Sequence, residues 1–338
     1  MLERLGEGGT AFVWKARQIS LDRIVAVKVL SAQFKQDAAD VQRFQSEAQQ
    51  TAKLKNVGIV QVYDAGVENG IYYIVMEYVA GYTVGDWIRR KGALGESESL
   101  QVCEHVAKAL EYAWQNAGII HCDIKPDNVI IDSDGSVKVA DLGLSRTIKS
   151  MSASVADGDI MGTPAYIAPE QFMGVPDLDC RADIYSLGAM LYQMVTGKPL
   201  FEGHPDALIM EMQVSDTVPN ARDVNPKISI HLCTLIERML AKNRDARYRD
   251  WSAVRADMVR IRNRGMLIRH AIEGGSTMRS PSRPKPSVIP PQVTVEPQKP
   301  GLPLPVISVV VVVMGSATVN VLVAEGVAGG PLLSVTVA

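Results

Sequence analysis

Ionisable and amide side chains are crowded into one short stretch of the chain. The sequence IIHCDIKPDN, residues 119–128, places Asp123, Lys125 and Asn128 directly behind two isoleucines, and a further carboxylate, Asp141, follows a short apolar run. Carboxylate and amide oxygens at the ends of strand-like runs suit Mg²⁺, a hard cation that takes a few protein oxygens and otherwise keeps waters or phosphates. These residues indicate phosphoryl transfer, which needs positioning and electrostatic clamping more than a covalent nucleophile.

Two features near the N-terminus could serve the same chemistry. Gly6 and Gly8 lie between strand-like segments, where glycines let backbone N–H groups approach a phosphate, although an ordinary glycine-rich turn is the competing interpretation. Lys28 lies in the apolar run VAVK, where a lysine is costly unless it meets a carboxylate or a phosphate. Glu47 on the next helical segment is a candidate counter-charge, although exposure of both residues at the surface is the commoner arrangement.

The elements that must position these residues separate along the chain. The strand-like stretches AFVWKAR, IVAVKVL, IVQVYDAG and IYYIVMEYV dominate the beginning, with one helical segment among them. Apolar residues then recur with a helical period. The periodic sets are Cys103, Val106, Ala107, Leu110 and Trp114; Leu187, Met190, Leu191 and Met194; and Leu232, Leu235, Ile236, Met239 and Leu240. A β-rich lobe followed by an α-rich lobe is an α+β arrangement, with a binding cleft expected between the lobes.

Composition limits the class of protein. The 338 residues, 47% hydrophobic and 21% charged, are enough to bury a core and exceed one average domain. The net charge of −2 argues against a nucleic-acid binder with one broad basic surface. The four cysteines lie far apart without a C-x-x-C pair, which disfavours a zinc site and a disulfide framework and favours a reducing compartment. No cleavable signal peptide is visible.

The sequence changes character after residue 265. We predict an extended or disordered basic, proline-rich linker at 266–303. Residues 304–324 carry no charge and have about the length of a helix that crosses a bilayer, and the basic residues of the linker would hold the preceding domain in the cytoplasm. The valines and polar residues of this stretch also fit a disordered tail. Residues 325–338 form a short tail.

Five motifs occur in order along the first part of the chain: GEGGTAFV, VAVK, HCDIKPDN, DLG and APE. Together they resemble the motifs of eukaryotic-type serine/threonine protein kinases, including the bacterial ones. The resemblance covers residues 1 to about 265 and implies a two-lobed protein-kinase-like fold, with a small β-rich N-lobe at 1–79 and a larger helical C-lobe at 80–265. The stretches DIKPDN and GTPAY are similar to those of serine/threonine kinases rather than tyrosine kinases.

The resemblance implies a role for each matching residue. Asp123 would accept the proton of the substrate hydroxyl, and Lys125 would neutralise the transferring phosphoryl group. Asn128 and Asp141 would bind Mg²⁺ or Mn²⁺. Contacts with ATP are implied for Gly6, Glu7, Gly8, Val13, Lys28, its anchor Glu47, and the backbone groups of Glu77 and Val79.

Other matches are implied to be structural. Glu170 and Arg247 resemble the buried ion pair of the family, and Asp183 resembles the anchor of its large lobe. Met76 is similar to the gatekeeper residue beside adenine. Leu142 stands where phenylalanine is usual and keeps an apolar side chain there.

Cys122 departs from the family pattern in an informative way. Many kinases have an arginine there that meets a phosphate on the activation segment, and a neutral thiol cannot form that charge-assisted contact. We therefore expect activity that does not require phosphorylation of this segment, unless Arg146 or Arg181 replaces the missing arginine. The available hydroxyls are Ser145, Thr147, Ser150, Ser152, Ser154 and Thr163.

The favoured function is an active serine/threonine kinase that phosphorylates protein hydroxyls with ATP. The rival is a pseudokinase that binds nucleotide or partners without transfer, and a third option is a phosphotransferase for small molecules. The presence of Lys28, Asp123, Asn128 and Asp141 favours an enzyme, and GTPAYIAPE favours peptide substrates. Protein substrates are the expected partners and nucleic acid is not; membrane association and self-association stay open.

Overall fold

The N-terminal part of the chain folds into an antiparallel sheet with a helix beside it. The computed structural model describes residues 1–7, 11–31, 38–142, 146–147, 163–274, 311–313 and 319–321. The elements here are β1 Glu3–Glu7, β2 Ala11–Gln18, β3 Arg23–Leu30, α1 Ala38–Thr51, β4 Val62–Glu68 and β5 Ile71–Glu77. The strand order is β2-β3-β5-β4, with β1 paired to β2. The predicted β-rich lobe is confirmed.

The side chains of β3 alternate between the two faces of this sheet. Val25 and Val27 are buried on one face, whereas Leu30 is buried on the other, in a cluster that includes Phe44 of α1. Because successive side chains of a strand point to opposite faces, Lys28 shares the α1 face with Leu30. Lys28 is only 9% exposed. The predicted burial of this lysine is confirmed, and its exposure at the surface is excluded.

The C-terminal part is mainly helical. Its helices are α2 Val84–Lys91, α3 Glu96–Ala117, α4 Pro169–Phe172, α5 Cys180–Thr196, α6 Asp206–Ser215, α7 Ala221–Val224, α8 Ile230–Met239 and α9 Trp251–Gly274. Short strands accompany them: β6 Gly81–Thr83, β7 Ile119–Ile120, β8 Val129–Asp132, β9 Val137–Val139 and β10 Arg146–Thr147. Strands β6, β8 and β9 form one small sheet, and β7 pairs with β10.

Helix α5 lies at the centre of this larger lobe. Nearly all of its residues are buried, which is the pattern of a helix enclosed on every side by its neighbours. The predicted periodic positions on α3, α5 and α8, such as Cys103, Leu187 and Leu232, belong to the same hydrophobic core. Leu142 is also buried in this core. The helical predictions and the apolar role of Leu142 are therefore confirmed.

Two boundaries differ from those predicted. Helix α9 runs to Gly274, so it continues beyond residue 265, where we predicted the linker to begin. Strand β4 begins at Val62 rather than at Ile59. The reason is that the backbone just before β4 bonds to the larger lobe, where Val60 N–H donates to the carbonyl of Val139 at 2.9 Å. Local apolar composition cannot distinguish these two pairing partners.

The predicted membrane segment at 304–324 is described only in two short stretches. These are strands, β11 Val311–Val313 and β12 Val319–Val321, which pair with each other, and β11 also pairs with the end of β2. The six residues are thus extended rather than helical; the rest of the segment, residues 275–303 of the linker and the tail after 324 lie outside the described residues. Within the described ranges, no helix has both the length and the apolarity to cross a membrane.

Candidate active site

The loop between β7 and β8 is anchored to the core by one buried carboxylate. The backbone N–H groups of His121 and Cys122 donate to the two oxygens of Asp183 at 2.8 and 2.9 Å. Asp183 lies on α5 and is 2% exposed. Burial raises the pKa of Asp183, although the two N–H bonds oppose this. The loop is therefore attached to a helix that is buried along nearly its whole length.

Two residues of the site adopt the left-handed backbone conformation. Cys122 has φ 66° and Asp141 has φ 60°. Such residues cost about 1–3 kcal/mol each and persist where the surroundings hold them. Cys122 is held on both sides, because its N–H donates to Asp183 and its carbonyl accepts from Gln171 Nε2 at 2.9 Å. Because Asp123 follows directly, these two bonds also fix the backbone beside its carboxylate.

The Asp123 carboxylate is held by several donors. Its Oδ2 accepts from Lys125 Nζ at 2.6 Å and from Asn128 Nδ2 at 3.2 Å. Its Oδ1 accepts from the Thr163 N–H at 3.0 Å and from Thr163 Oγ1 at 2.7 Å. The side chain is 8% exposed. A carboxylate bound through both oxygens has one fixed orientation, as a positioned general base requires.

Asn128 and Asp141 are brought together by a pair of short strands. Strands β8 and β9 pair with Val129 opposite Val139, so Asn128 before one strand and Ala140 after the other are neighbours. The Ala140 N–H donates to the Asn128 carbonyl at 2.8 Å. The Asn128 side chain in turn donates to the Asp123 carbonyl at 2.8 Å. The predicted metal-binding residues of two loops therefore lie at one edge of the small sheet.

The His121 ring joins the same two loops. Its Nε2 lies 3.0 Å from the Ala140 carbonyl, and its Nδ1 accepts from the Asp123 N–H at 3.3 Å. A carbonyl only accepts and an N–H only donates, so the ring proton is on Nε2. His121 is fully buried. The ring fixes the spacing between Asp123 and the residue before Asp141.

Lys28 of the small lobe reaches Asp141 of the large lobe. The Nζ to Oδ1 distance is 2.5 Å, and the two residues are 113 positions apart. Burial opposes ionisation of Asp141, but the Lys28 ammonium outweighs this and holds the pKa of Asp141 below its ordinary value. Val13 lies opposite Lys28 in the neighbouring strand and also opposite Gly6 of β1. The glycine-bearing hairpin thus adjoins the Lys28 side of the cleft.

The chain between the lobes passes through Glu77 and Val79. The Glu77 side chain is bound on both oxygens, because its Oε1 forms an ion pair with Lys138 Nζ at 2.9 Å and its Oε2 accepts from the Gln61 N–H at 3.3 Å. The Val79 carbonyl accepts from the Gly81 N–H at 3.0 Å. Met76, just before them, is paired with Ala26 of β3. This places the predicted adenine-binding segment at the end of β5, beside the strand that carries Lys28.

Comparison with known proteins decides the family. The family model described as a protein kinase domain matches residues 1–257. The chain belongs to the protein kinase family.

This kinase domain is similar to several bacterial serine/threonine-protein kinases. Serine/threonine-protein kinase PknB of Mycolicibacterium smegmatis is 39% identical over 268 residues, which cover 77% of this chain and 42% of PknB. PknB of Mycobacterium leprae is 38% identical over 262 residues, covering 76% and 42%. The crystal structure of the Mycobacterium tuberculosis PknI kinase domain matches with a TM-score of 0.61 and 28% identity, covering 76% of this chain and 94% of that domain. The chain spans about two fifths of the length of the PknB relatives.

Five of the predicted site residues form direct contacts in the kinase domain. Asp123, Lys125 and Asn128 contact one another, and Lys28 contacts Asp141. The adjoining strands β1 and β2 contain Gly6 and Val13. The connection between the lobes contains Glu77 and Val79. Gly8 and the side chains of Glu7 and Glu47 lie outside the described part, so their predicted roles stay predictions.

Two functional contacts were missed by sequence reasoning. Thr163 was considered only as a phosphorylation candidate, yet its hydroxyl binds both Asp123 and Lys125 Nζ, the latter at 3.0 Å. Its position in GTPAY is the signal that could have indicated this role. Gln171, directly after the APE motif, holds the Cys122 carbonyl, and no sequence feature marked it.

Arg181, one candidate to replace the missing arginine at position 122, is already bound to two carboxylates. Its guanidinium is bound to Asp179, with Nη2 to Oδ2 at 2.7 Å, and to Asp245 at 2.6 Å. These contacts commit it to the start of α5 and to the segment before Arg247. The Arg146 side chain lies outside the described residues, so that alternative is not tested.

Proposed function

We propose that this chain transfers the γ-phosphoryl group of ATP to serine or threonine hydroxyls of proteins. The observation that carries the proposal is the Asp123 carboxylate, bound through both oxygens by Lys125, Asn128 and Thr163. A pseudokinase has no need for such a base. The relatives named as serine/threonine-protein kinases support the same conclusion.

The residues present fit ATP with Mg²⁺ or Mn²⁺. Lys28 is a buried ammonium, which suits phosphate oxygens, and its partner Asp141 supplies carboxylate oxygens next to the Asn128 loop. Because the Asn128 nitrogen is the atom that holds Asp123, its oxygen is the atom to bind a metal ion. When bound, the metal neutralises charge that develops on the phosphates. Among the described residues, none lies within 4 Å of where a Cβ on Gly6 would be, which leaves room for a phosphate beside this backbone.

The residues on the substrate side have distinct tasks. Asp123 orients the acceptor hydroxyl and takes its proton. Lys125 lies on Oδ2 of this carboxylate and offers positive charge to the phosphoryl group in transfer. Thr163, on Oδ1, belongs to the segment that resembles the peptide-docking part of kinases, so it would couple docking of a peptide to the placement of the base.

The decisive experiment is incubation of the purified chain with labelled ATP, Mg²⁺ and two unstructured substrate proteins, one with net positive and one with net negative charge. We expect label on serine or threonine, loss of labelling when the metal is chelated, and no labelling by an Asp123→Asn variant. Nucleotide binding without any transfer would instead establish the pseudokinase alternative. Label on a small-molecule hydroxyl but not on protein would indicate the third option.

We further propose that phosphorylation of the activation segment is not required for this activity. Cys122 offers a thiol where a charge-assisted contact to a phosphate would need a cation, and Arg181 is committed elsewhere. Phosphatase treatment should therefore lower kcat/KM by less than about tenfold, whereas loss of one charge-assisted hydrogen bond of about 1.5–3 kcal/mol would lower it by about 10- to 150-fold. Heat-inactivated phosphatase is the control. A larger loss would assign the missing contact to Arg146 or another cation.

Membrane attachment through residues 304–324 remains a proposal that rests on their length and lack of charge. The extended conformation of Val311–Val313 and Val319–Val321 weighs against a continuous helix there. If the segment anchors the chain, the full-length protein should sediment with membranes and a chain truncated after residue 300 should not. Recovery of both forms in the supernatant would refute the anchor.

A further inference from the structure

A second carboxylate lies on the catalytic loop beside Asp123. Asp127 follows it by four positions, and its side chain is 53% exposed, in contrast to 8% for Asp123. Tyr166 lies near both. Burial, followed by the charges of Asp127 and Asp123, raises the pKa of the Tyr166 hydroxyl, whereas the charge of Arg89 lowers it. Because Tyr166 closely follows Thr163, which binds Asp123, these charges act on the segment that is proposed to dock the peptide.

Helix α2 is shaped to receive the Asp127 carboxylate. A Cβ on Gly85 would lie 2.2 Å from Asp127 Oδ1, so only a glycine at this position permits the approach. Gly85 is in the first turn of α2, where the helix dipole favours negative charge. A capping box formed by Thr83 and Asp86 fixes the start of this helix. The close approach is therefore a built feature of the loop and the helix together.

Arg89, one turn further along α2, covers the Asp127 carboxylate. Its Nη1 and Nη2 both lie 3.1 Å from Asp127 Oδ1, and Nη2 also lies 3.0 Å from Asp86 Oδ1. The Arg89 side chain is 62% exposed. The neighbouring Arg90 makes a different contact, above the Tyr82 ring at 5.8 Å. A peptide side chain that approaches Asp86 and Asp127 would thus meet the exposed guanidinium of Arg89 before it meets either carboxylate.

We propose that Arg89 determines substrate charge preference, selecting serine and threonine acceptors flanked by acidic side chains over those flanked by arginine or lysine. This inference rests on the proposed kinase function. A basic substrate side chain must displace Arg89 to reach Asp127 or Asp86. Repulsion between the two positive charges therefore disfavours basic substrates. An acidic side chain instead meets the N–H groups of a guanidinium that has five donors.

Removal of Arg89 should invert this preference, because Asp86 and Asp127 would then form an uncovered acidic pair. The probes are three peptides that differ only in having aspartate, alanine or arginine beside the acceptor serine. An exposed ion pair changes an affinity by up to about fivefold. Arg89→Ala should therefore lower kcat/KM for the aspartate peptide and raise it for the arginine peptide, each by about fivefold.

Matched variants separate this effect from damage to the helix. Arg90→Ala should leave the ratio of kcat/KM for the aspartate and arginine peptides as in the unmutated chain. The reason is that Arg90 contacts the Tyr82 ring and not the carboxylates of Asp86 and Asp127. Adding Asp127→Asn to Arg89→Ala should remove the gained preference for the arginine peptide. In the unmutated chain, added salt should weaken the preference for the aspartate peptide, and this measurement does not depend on any variant folding.

Several results would overturn the inference. An unchanged ratio in Arg89→Ala would do so, as would an equal fall for all three peptides, which would mean that Arg89 only supports α2. A salt-independent preference, or a preference for the arginine peptide, in the unmutated chain would also refute it. If the unmutated chain phosphorylates none of the peptides and no protein substrate, the proposed kinase function itself is wrong, and the inference fails with it.

Discussion

An Asp123→Asn variant is expected to lose about a thousandfold in kcat, within the roughly 10²–10⁴-fold contribution of a general base, while nucleotide affinity is retained. The amide cannot take the substrate proton. It also disturbs the site, because Oδ1 and Oδ2 each accept from donors, namely Thr163 on one side and Lys125 with Asn128 on the other. Either orientation of the new amide directs its NH₂ group at a donor. Single-turnover transfer from labelled ATP measures the loss.

The control for this substitution is Asp134→Asn. Asp134 lies in the exposed turn between β8 and β9, where its Oδ1 accepts from the Ser136 N–H at 2.8 Å. The chemical change is the same and the location is the same part of the chain, but no contact to the cleft is altered. Its kcat should equal that of the unmutated chain. A comparable loss of kcat in both variants, or substantial activity of Asp123→Asn, would show that Asp123 is not the general base.

An Arg247→Ala variant is expected to lower the free energy of unfolding by about 3–5 kcal/mol, because it leaves the Glu170 carboxylate buried without its partner. The guanidinium Nη1 and Nη2 donate to Glu170 Oε1 and Oε2 at 2.6 and 2.8 Å, and side-chain exposures are 0% and 6%. Arg247 also donates to the backbone carbonyls of Ala241, Arg181 and Lys242. Urea unfolding of both proteins measures the difference.

Arg244→Ala is the matched control for this prediction. Arg244 forms an ion pair with Asp177 at 2.6 Å, but the Asp177 side chain is 71% exposed. Water can solvate that carboxylate once its partner is removed, so the loss of stability should be a small fraction of the loss in Arg247→Ala. Similar losses in the free energy of unfolding of the two variants would show that burial does not make the Glu170–Arg247 ion pair more important for stability than an exposed pair. Replacement of Glu170 and Arg247 together by apolar residues should recover part of the stability, since no unpaired charge then remains.

The ion pair also bears on activity through its neighbour along the chain. Gln171 follows Glu170 on α4, and its side chain holds the Cys122 carbonyl in the strained loop. Loosening of α4 would therefore release one of the two bonds that keep Cys122 at φ 66°. A structural residue far from the phosphates thus supports the orientation of Asp123.

The kinase motifs could be recognised in the sequence because the functional residues of each motif lie within a few positions of one another. Asp123, Lys125 and Asn128 lie in one loop, and they contact each other without help from distant elements. The lobes were predictable for a similar reason, since strand alternation and helical periodicity are local consequences of burying one face. The buried state of Lys28 followed from its apolar neighbours, although the sequence alone did not show that Asp141 would be its described partner.

By itself, the sequence determined the family, the two-lobed α+β order and the residue types that handle phosphate. Only the tertiary structure decided which side chains complete the site: Thr163 reaches Asp123 across 40 positions, and Arg89 reaches Asp127 across 38. The physical reason is that such contacts depend on how separate elements are placed in space, as when the missing Cβ of Gly85 lets a loop carboxylate approach a helix. Periodicity and motif spacing report the environment of a residue along its own element, but not which distant residue will face it.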